Sequence, residues 1–507
     1  MTGHKAVRGQ LLARNALLNL FGQGLPLIIG VLTMPRVVGR LGPERYGVLA
    51  MALVVLGYFG LFDLGLGRAA TRFVASALSS GSEEKVPAIA WTAVMVQAGL
   101  GLLGGVVLIT ATPLLVERVL NIPPNLIDEA RSTFYVLAFS IPAVLVSGSL
   151  RGVLEAAQRF DLLNAAAAPL SAANFLLPYV GVTLGWNLPG IVAVLLVSRT
   201  VGALVFFVLS VRVFPALMRF PRFHVAEAKL LLGFGGWITI SSVVGPLLVY
   251  VDRFALGILM TMTAVAYYAA PYEIVTRLLI VPISLAGTLF PAFSGRYQGG
   301  SISALEILVA SSMKYLLLVL APLVVVLLAF SGEILRLWLG PDFASQSALA
   351  LGILSVGLLA NSVAQVPFAL IQGLGRPDLT AKIHLAEVPI QVALAWALVS
   401  RWGITGAAVA WTARTTLDAM LLSVAALRVS SISWRSLVNN QVPQVLSCVA
   451  GLGLVAAGSR AFVPSTRVRV LALGVSLALW GIVIWYRILS DGDRRLITRV
   501  LPQAAVK

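Results

Sequence analysis

The chain has 507 residues, of which 59% are hydrophobic and only 11% charged, and its mean hydropathy is +0.95. Soluble domains carry about 25% charged residues, so this composition excludes a soluble protein and indicates an integral membrane protein. The net charge of +17 then indicates basic cytoplasmic loops and a basic lining rather than a nucleic-acid surface. With one cysteine and three scattered histidines, we expect no internal disulfide, no metal site and no cofactor.

Apolar runs of about 20 residues predict transmembrane helices. Fourteen such runs are bounded by charged residues, prolines or glycines, and an even number places both termini on one side of the membrane. The predicted helices lie near 14–38, 46–70, 86–112, 131–153, 162–185, 189–211, 230–257, 264–292, 306–330, 344–371, 379–400, 403–427, 442–461 and 468–489.

The distribution of lysine and arginine predicts the orientation of these helices. With both termini inside, the inner connections and tails hold 23 of the 37 basic residues and the outer connections hold 10. We therefore expect a multi-pass membrane protein with both termini in the cytoplasm. The last outer connection, with Arg460, Arg467 and Arg469, runs against this rule.

No connection is long enough to fold as a soluble domain, and no glycine-rich phosphate loop ending in GK[ST] is present. ATP bound to this chain is therefore not expected to drive its activity.

A weak internal repeat relates the two halves of the chain. The segment 154–166, LEAAQRFDLLNAA, aligns without gaps with 371–383, IQGLGRPDLTAKI, at an offset of 217. A repeat of six helices keeps its orientation, as in transporters built from parallel repeats. We expect a six-helix lobe at 1–222, a second at 223–436, and an appendage of two helices and a tail at 437–507.

A polar stripe follows one face of the first predicted helix at spacings of three and four residues. In lipid such a face contacts either a cavity or a neighbouring helix, so it either lines a lumen or serves as polar packing between helices. We favour the lumen. The stripe consists of Asn15, Asn19, Gln23, Pro26, Gly30, Thr33, Arg36 and Arg40.

Five arginines within predicted helices are candidate anion ligands. Arg36, Arg199 and Arg253 have no acid at a helical spacing that neutralises them. Arg277 and Arg414 lie four residues from Glu273 and Asp418, so each is either an anion ligand or a self-contained pair. The planar guanidinium makes bidentate bonds to phosphate and stays charged in a poor dielectric.

Other polar groups in the apolar runs extend this candidate site. Asn19, Gln23 and Tyr250 are candidate substrate ligands, since amides hydrogen-bond sugars and an aromatic ring stacks on them. Asp63, Asp252 and Glu273 are candidates for coupling to a proton or sodium ion, because carboxyl groups at membrane depth are rare and usually functional. Tyr267 and Tyr268 fit an interfacial aromatic belt equally well.

Several motifs resemble one family of membrane proteins. They are Pro35, Leu41-Gly42 and Tyr46-Gly47, then DLGL at 63–66 with Arg68, and DRFALG at 252–257 followed by LFPAFS at 289–294. Together they resemble bacterial polysaccharide flippases of the O-antigen and exopolysaccharide type, in the multidrug/oligosaccharidyl-lipid/polysaccharide exporter superfamily. DRFALG departs slightly from the family pattern.

The resemblance implies an all-α integral membrane protein of about 14 transmembrane helices. Two six-helix bundles would form a V around a central cavity, and two extra C-terminal helices would follow. It implies a flippase, not an enzyme, that carries a polyprenyl-diphosphate-linked oligosaccharide by alternating access and works beside polysaccharide polymerase machinery. The alternatives are a cation-coupled multidrug exporter of the same superfamily and a membrane-embedded sugar polymerase, ligase or acyltransferase.

Overall fold

A computed structural model describes residues 2–61, 65–218, 222–233, 236–298, 302–489 and 494, and within these ranges the chain is helical and contains no β-strand. The helices before residue 260 are α1 Thr2–Leu61, α2 Leu66–Ser79, α3 Val86–Leu114, α4 Ile127–Ala138, α5 Ser140–Ala156, α6 Phe160–Thr183, α7 Leu188–Val213, α8 Val225–Gly233 and α9 Gly236–Leu259. Those that follow are α10 Met262–Arg277, α11 Ile280–Gln298, α12 Ile302–Leu339, α13 Pro341–Gly373, α14 Pro377–Ser430, α15 Trp434–Asn439, α16 Val442–Phe462 and α17 Thr466–Val483.

The predicted all-helical membrane protein is confirmed. Ten helical stretches of the described chain are long and apolar enough to cross a membrane. Each predicted helix overlaps a helix of the described chain, but several boundaries differ. The long helix α14 covers two predicted helices and is interrupted at Gly403 (φ 54°). The helix α1 covers the first predicted helix and residues 46–61 of the second, and it is interrupted at Gly42 (φ 77°). A positive φ reverses the chain without a long loop, and glycine adopts it at little cost. The number of fourteen spans stays a prediction.

The described chain forms two compact units. The first comprises residues 1–270 and 384–407, and the second comprises residues 271–383 and 408–507. The lobes expected at 1–222 and 223–436, and the appendage at 437–507, stay predictions about the repeat.

Connections predicted to lie outside the membrane meet at one end of the first unit. Glu129 accepts hydrogen bonds from Nε of Arg45 at 3.0 Å and from the backbone nitrogen of Leu188 at 3.0 Å. Nδ2 of Asn121 donates to the carbonyl of Met260 at 2.7 Å. Four connections that are distant in sequence are therefore joined at this end.

One connection predicted to lie inside, between α7 and α8, packs against the first turns of α3. The indole nitrogen of Trp91 donates to the carbonyl of Leu217 at 3.1 Å, and the backbone nitrogen of His224 donates to the hydroxyl of Thr92 at 3.2 Å. This connection is therefore fixed to α3 by two hydrogen bonds. Which end faces the cytoplasm stays a prediction.

The internal repeat is visible as the same turn in both halves. The side chain of Arg159 makes two hydrogen bonds to Asp161, at 3.0 and 2.8 Å, and that of Arg376 makes two to Asp378, at 3.0 and 3.2 Å. The preceding residue has a positive φ in both turns, 56° and 76°. The backbone bonds from 159 to 154 and from 376 to 371 also correspond at the offset of 217.

The C-terminal helices α16 and α17 pack on α12 in the second unit. Val325 and Ala329 of α12 form an apolar cluster with Leu452, Ala456 and Leu473. This packing buries the appendage against one helix of the unit.

Two of the three arginines that run against the charge rule bond to neighbouring helices of the second unit. Arg469 is 8% exposed and forms an ion pair with Glu333, and it also donates to the carbonyl of Ala329 at 3.2 Å. Arg460 donates to the carbonyl of Ala348 at 3.2 Å. These two arginines therefore have partners within the protein. Their positive charge is partly compensated there, so they can lie near a connection that is predicted to be outside the membrane.

Gly47→Ala is predicted to destabilise the first unit strongly. A Cβ at Gly47 would lie 1.8 Å from the carbonyl oxygen of Met262, so α1 and the turn before α10 would have to separate. Overpacking of this kind costs about 1–3 kcal/mol or more. Thermal unfolding of the detergent-solubilised protein measures the effect. Gly39→Ala is the control, because a Cβ there meets nothing within 4 Å. Equal melting temperatures for the two variants would contradict the packing.

Candidate functional site

The structure distributes the predicted site residues over both units. Arg36, Arg199, Tyr250, Asp252 and Arg253 belong to the first unit. The second unit holds Glu273, Arg277 and Arg414. Asp63 lies outside the described residues, as do the side chains of Asn19 and Gln23. Convergence of the arginines on one cavity stays a prediction.

Arg36 is an exposed cation stacked on an aromatic ring. Its guanidinium carbon lies 5.8 Å from the ring centroid of Tyr179 on α6, and its side chain is exposed. Stacking uses the face of the guanidinium and leaves the N–H groups, which point outward in its plane, available for an acceptor. The ring of Tyr179 therefore orients the Arg36 side chain without neutralising its positive charge.

The polar stripe of α1 does not line a lumen along its whole described length. A Cβ at Gly30 would lie 3.0 Å from the ring of Phe175, so this part of the face packs closely against α6. Thr33 is buried and donates to the carbonyl of Ile29 in its own helix. The lumen interpretation is wrong for these two residues, whereas Arg36 and Arg40 are exposed.

Arg253 is buried in this conformation, being only 6% exposed. Its guanidinium lies 5.8 Å from the ring centroid of Tyr250, a partly buried side chain. The hydroxyl of Tyr250 lies over Gly57, where a Cβ would come within 2.4 Å of it. Tyr250 is thus packed beside the arginine, and its ring face is occupied by a cation instead of a sugar.

Asp252 is fully buried and bound to Tyr268, for which sequence analysis left an interfacial aromatic belt as one alternative. The hydroxyl of Tyr268, itself fully buried, donates to Oδ2 of Asp252, and the backbone nitrogen of Arg253 donates to Oδ1 at 3.0 Å. The belt interpretation of Tyr268 is therefore wrong. The two residues lie eight positions on either side of Met260, in the turn between α9 and α10. That symmetry about the turn is a signal from which the pair could have been found.

In the second unit, Arg277 and Glu273 form the ion pair that their spacing predicts. Nη2 of Arg277 lies 3.1 Å from Oε2 of Glu273, and the two side chains are 40% and 36% exposed. Partial exposure weakens such a pair and leaves donors of the guanidinium accessible. Of the two alternatives for Arg277, the ion pair is thus present, and it does not exclude an additional acceptor.

Arg414 and Asp418 are both 6% exposed, in a segment of α14 packed against α13. The hydroxyl of Thr412 donates to the carbonyl of Ile353 at 3.0 Å, and that of Thr415 to the carbonyl of Gly357 at 3.4 Å. Arg414 is therefore held by a closely packed interface in this conformation.

Trp411 and Tyr272 form a second aromatic contact in the same unit. Their ring centroids are 5.6 Å apart, and the rings meet edge to face. Trp411 also fills the hollow over Gly357, where a Cβ would lie 2.5 Å from the indole. Sequence analysis did not single out this tryptophan, because a lone aromatic in an apolar run carries no distinguishing signal.

The comparison with known proteins identifies the family. Residues 12–296 match the family described as polysaccharide biosynthesis protein. A putative O-antigen transporter of Shigella flexneri is 30% identical over 421 residues, which cover 83% of this chain and 98% of that protein. This chain belongs to the polysaccharide biosynthesis protein family. The predicted family is thereby confirmed.

Solved structures give the fold of this family member. The lipid II flippase MurJ, in its inward closed conformation, is similar with a TM-score of 0.70 and 12% identity, covering 94% of this chain and 99% of MurJ. An inward-facing multidrug resistance transporter of the MATE family has a TM-score of 0.65 and 16% identity, covering 82% and 95%. The family member therefore has a fold similar to those of MurJ and of the MATE transporter.

Tyr268→Phe is predicted to destabilise the protein, because it leaves a fully buried carboxyl group without one of its donors. The expected loss in the free energy of unfolding is about 1–3 kcal/mol. Thermal unfolding in detergent measures it. Tyr135→Phe serves as the control, since no hydrogen bond of its hydroxyl occurs within the described chain. A neutral effect of Tyr268→Phe would contradict the buried hydrogen bond.

Proposed function

We propose that this protein is a flippase that translocates a polyprenyl-diphosphate-linked oligosaccharide across the bacterial inner membrane. The observation that carries the proposal is Arg36, an exposed and oriented guanidinium, in a chain that belongs to a polysaccharide biosynthesis family. Arg277, whose side chain is 40% exposed, supplies a second accessible cation in the other unit. Guanidinium groups bind phosphate oxygens in bidentate geometry, which suits the anionic part of such a substrate.

The proposed mechanism makes and breaks no covalent bond. Cationic side chains offset the loss of hydration of the diphosphate, while the polyprenyl tail stays in lipid. Movement of an anion outward is favoured by an inside-negative potential by about 2.3 kcal/mol per charge per 100 mV. The buried pair of Asp252 and Tyr268 is the proposed coupling element, because a carboxyl group with no exposed surface changes its protonation only when its surroundings rearrange.

The proposed setting is the bacterial inner membrane with both termini in the cytoplasm and polysaccharide polymerase machinery nearby. The excess of basic residues in alternate connections supports this orientation. The partners of the exposed arginines would then be the lipid-linked oligosaccharide and the surrounding lipids.

Multidrug export is the second candidate, since the MATE fold is shared. A cationic drug favours acidic and aromatic ligands, whereas the described candidates include arginines that are exposed or buried without a neighbouring acid at helical spacing. The relative at 30% identity is named a putative O-antigen transporter, which also favours the flippase.

Arg36→Gln is predicted to reduce flipping of a fluorescent polyprenyl-diphosphate-sugar in proteoliposomes by about 10-fold or more, because a charge-assisted bond to phosphate contributes about 1.5–3 kcal/mol. The variant keeps a hydrogen-bonding side chain on the exposed surface, so its folding should be unaffected.

Arg118→Gln is the matched control, since Arg118 is also exposed and lies in a predicted outer connection. Equal flipping by the wild type and Arg36→Gln would contradict the role of Arg36. Absence of flipping by the wild type, together with export of cationic dyes against a proton or sodium gradient, would replace the flippase by the drug exporter.

A further inference from the structure

A group of charged side chains joins the C-terminal helices to α12 near one end of the second unit. Arg469 of α17 pairs with Glu333 of α12 and donates to the carbonyl of Ala329 at 3.2 Å. The hydroxyl of Thr466, the first residue of α17, donates to Oε1 of Glu333 at 3.4 Å and accepts from Nη2 of Arg469 at 3.3 Å. Glu333 therefore already binds one guanidinium and one hydroxyl.

Arg460 of α16 supplies a second guanidinium to this group. Its Nη1 atom donates to the carbonyl of Ala348 on α13, and a Cβ at Gly352, one turn further along α13, would lie 2.9 Å from that atom. The charges of Glu333 and Arg469 both act on Arg460, so the three side chains form one arginine cluster. A backbone carbonyl carries no net charge. Two guanidinium groups and one carboxylate therefore leave the arginine cluster with one positive charge.

The wider surroundings of the arginine cluster are also basic. Asp342 is the second acid at this end, and it lies six positions before Ala348, about a third of a turn away from the face of α13 that binds Arg460. Arginines therefore outnumber acids here. In residues 331–345 and 455–470, the charged side chains are Arg336, Arg460, Arg467 and Arg469 against Glu333 and Asp342.

The helix α12 extends beyond the start of α17 and forms a step next to the arginine cluster. Thr466 begins α17 level with Glu333, whereas α12 continues for six more residues to Leu339, a distance of about 9 Å. Three and four positions after Glu333, on the same face of α12, the side chains of Arg336 and Leu337 are exposed. The arginine cluster therefore lies at the foot of an exposed helix face that carries a further cation.

Exposed apolar side chains lie beside the arginine cluster on α16 and α17. Phe462 at the end of α16 is 86% exposed, and Val468, Val470 and Leu471 in the first turns of α17 are also exposed. Basic residues that alternate with exposed apolar ones at the ends of membrane helices are typical of the level at which hydrocarbon meets the headgroups. A phosphate that carries acyl chains matches both kinds of surface.

We propose that the arginine cluster and Arg336 bind the phosphate of an anionic phospholipid from the leaflet at this end of the helices. The guanidinium groups supply charge-assisted donors, and basic sites between membrane helices hold anionic headgroups in this way. The acyl chains then lie along the exposed apolar residues of α16 and α17. The distribution of basic residues predicts that this is the outer leaflet. The positive charge that runs against the charge rule thus has its counter-ion in the lipid.

Thermal unfolding of the full-length protein in detergent micelles with added lipid tests this site. Replacing phosphatidylcholine by phosphatidylglycerol at constant total lipid is expected to raise the melting temperature of the wild type by a few degrees in a saturable manner. Arg460→Gln is expected to lose most of this rise. The variant should fold, because it leaves Arg469 and Glu333 as a neutral pair and keeps a donor for the carbonyl of Ala348.

Three further variants make the test specific. Arg118→Gln is the matched control, since it removes an exposed arginine of the first unit and should keep the full rise. Arg336→Gln, on the exposed face of α12, should reduce the rise and replaces Arg460→Gln if that variant does not fold. Glu333→Gln adds one positive charge to the arginine cluster and should enlarge the rise, whereas a purely structural role would lower the melting temperature equally in both lipids.

Unchanged melting of the wild type in the two lipids would overturn the site, and so would an equal rise in the wild type, Arg460→Gln and Arg336→Gln. Sodium phosphate added to the phosphatidylcholine sample is expected to have no such effect, and a rise of the same size there would replace the phospholipid by a free phosphate. Because the readout is the lipid dependence of thermal stability, failure of this site and failure of the proposed transport activity are distinguishable.

Discussion

The free-energy cost of placing a charge in a bilayer determines which partners the arginines of this protein have. An ionisable side chain at the centre of a membrane helix costs about 2.5–3.5 kcal/mol on insertion scales, and the arginines meet this cost in different ways. Arg469 pairs with Glu333 and a backbone carbonyl, Arg277 pairs with the acid one turn away, and Arg36 stacks on an aromatic ring while staying exposed. Arg199 keeps one buried guanidinium nitrogen, Nη1, without a hydrogen-bond partner among the described residues.

The sequence predicted the helices well, and one turn that it aligned between the two halves recurs in the structure, because both follow from local rules. A run of about 20 apolar residues in lipid must satisfy its own backbone, so its secondary structure is dictated by length. The turn around Arg159 and Asp161 recurs at Arg376 and Asp378, because the ion pair and the backbone bonds are formed within six residues. The tight reversal at Gly42 was less predictable, since PRVVGRLGPERYG contains several residues that could end a helix.

The site was predicted less well, because burial is decided between helices that are distant in sequence. Arg36 and Arg253 look alike in the sequence, yet one is exposed and the other is 6% exposed beside Tyr250. Tyr268 has the aromatic character of an interfacial residue, but the turn between α9 and α10 brings it onto Asp252. The charge rule failed at Arg460 and Arg469 for the same reason, since their acceptors lie more than 100 residues away on α12 and α13.

Arg36 and Arg253 also occupy equivalent positions in the repeat, each six residues before the end or interruption of its helix at Gly42 and Leu259. The two turns that follow touch each other, since Gly47 packs against the carbonyl of Met262. Equivalent cations with unequal exposure offer an anion one accessible ligand in this conformation. A conformation that exposed both would bind a diphosphate more tightly, and a ligand shifts an equilibrium only through such a difference in affinity. In the proposed flippase, the unequal exposure of this pair would let the binding of a diphosphate favour a rearrangement of the first unit.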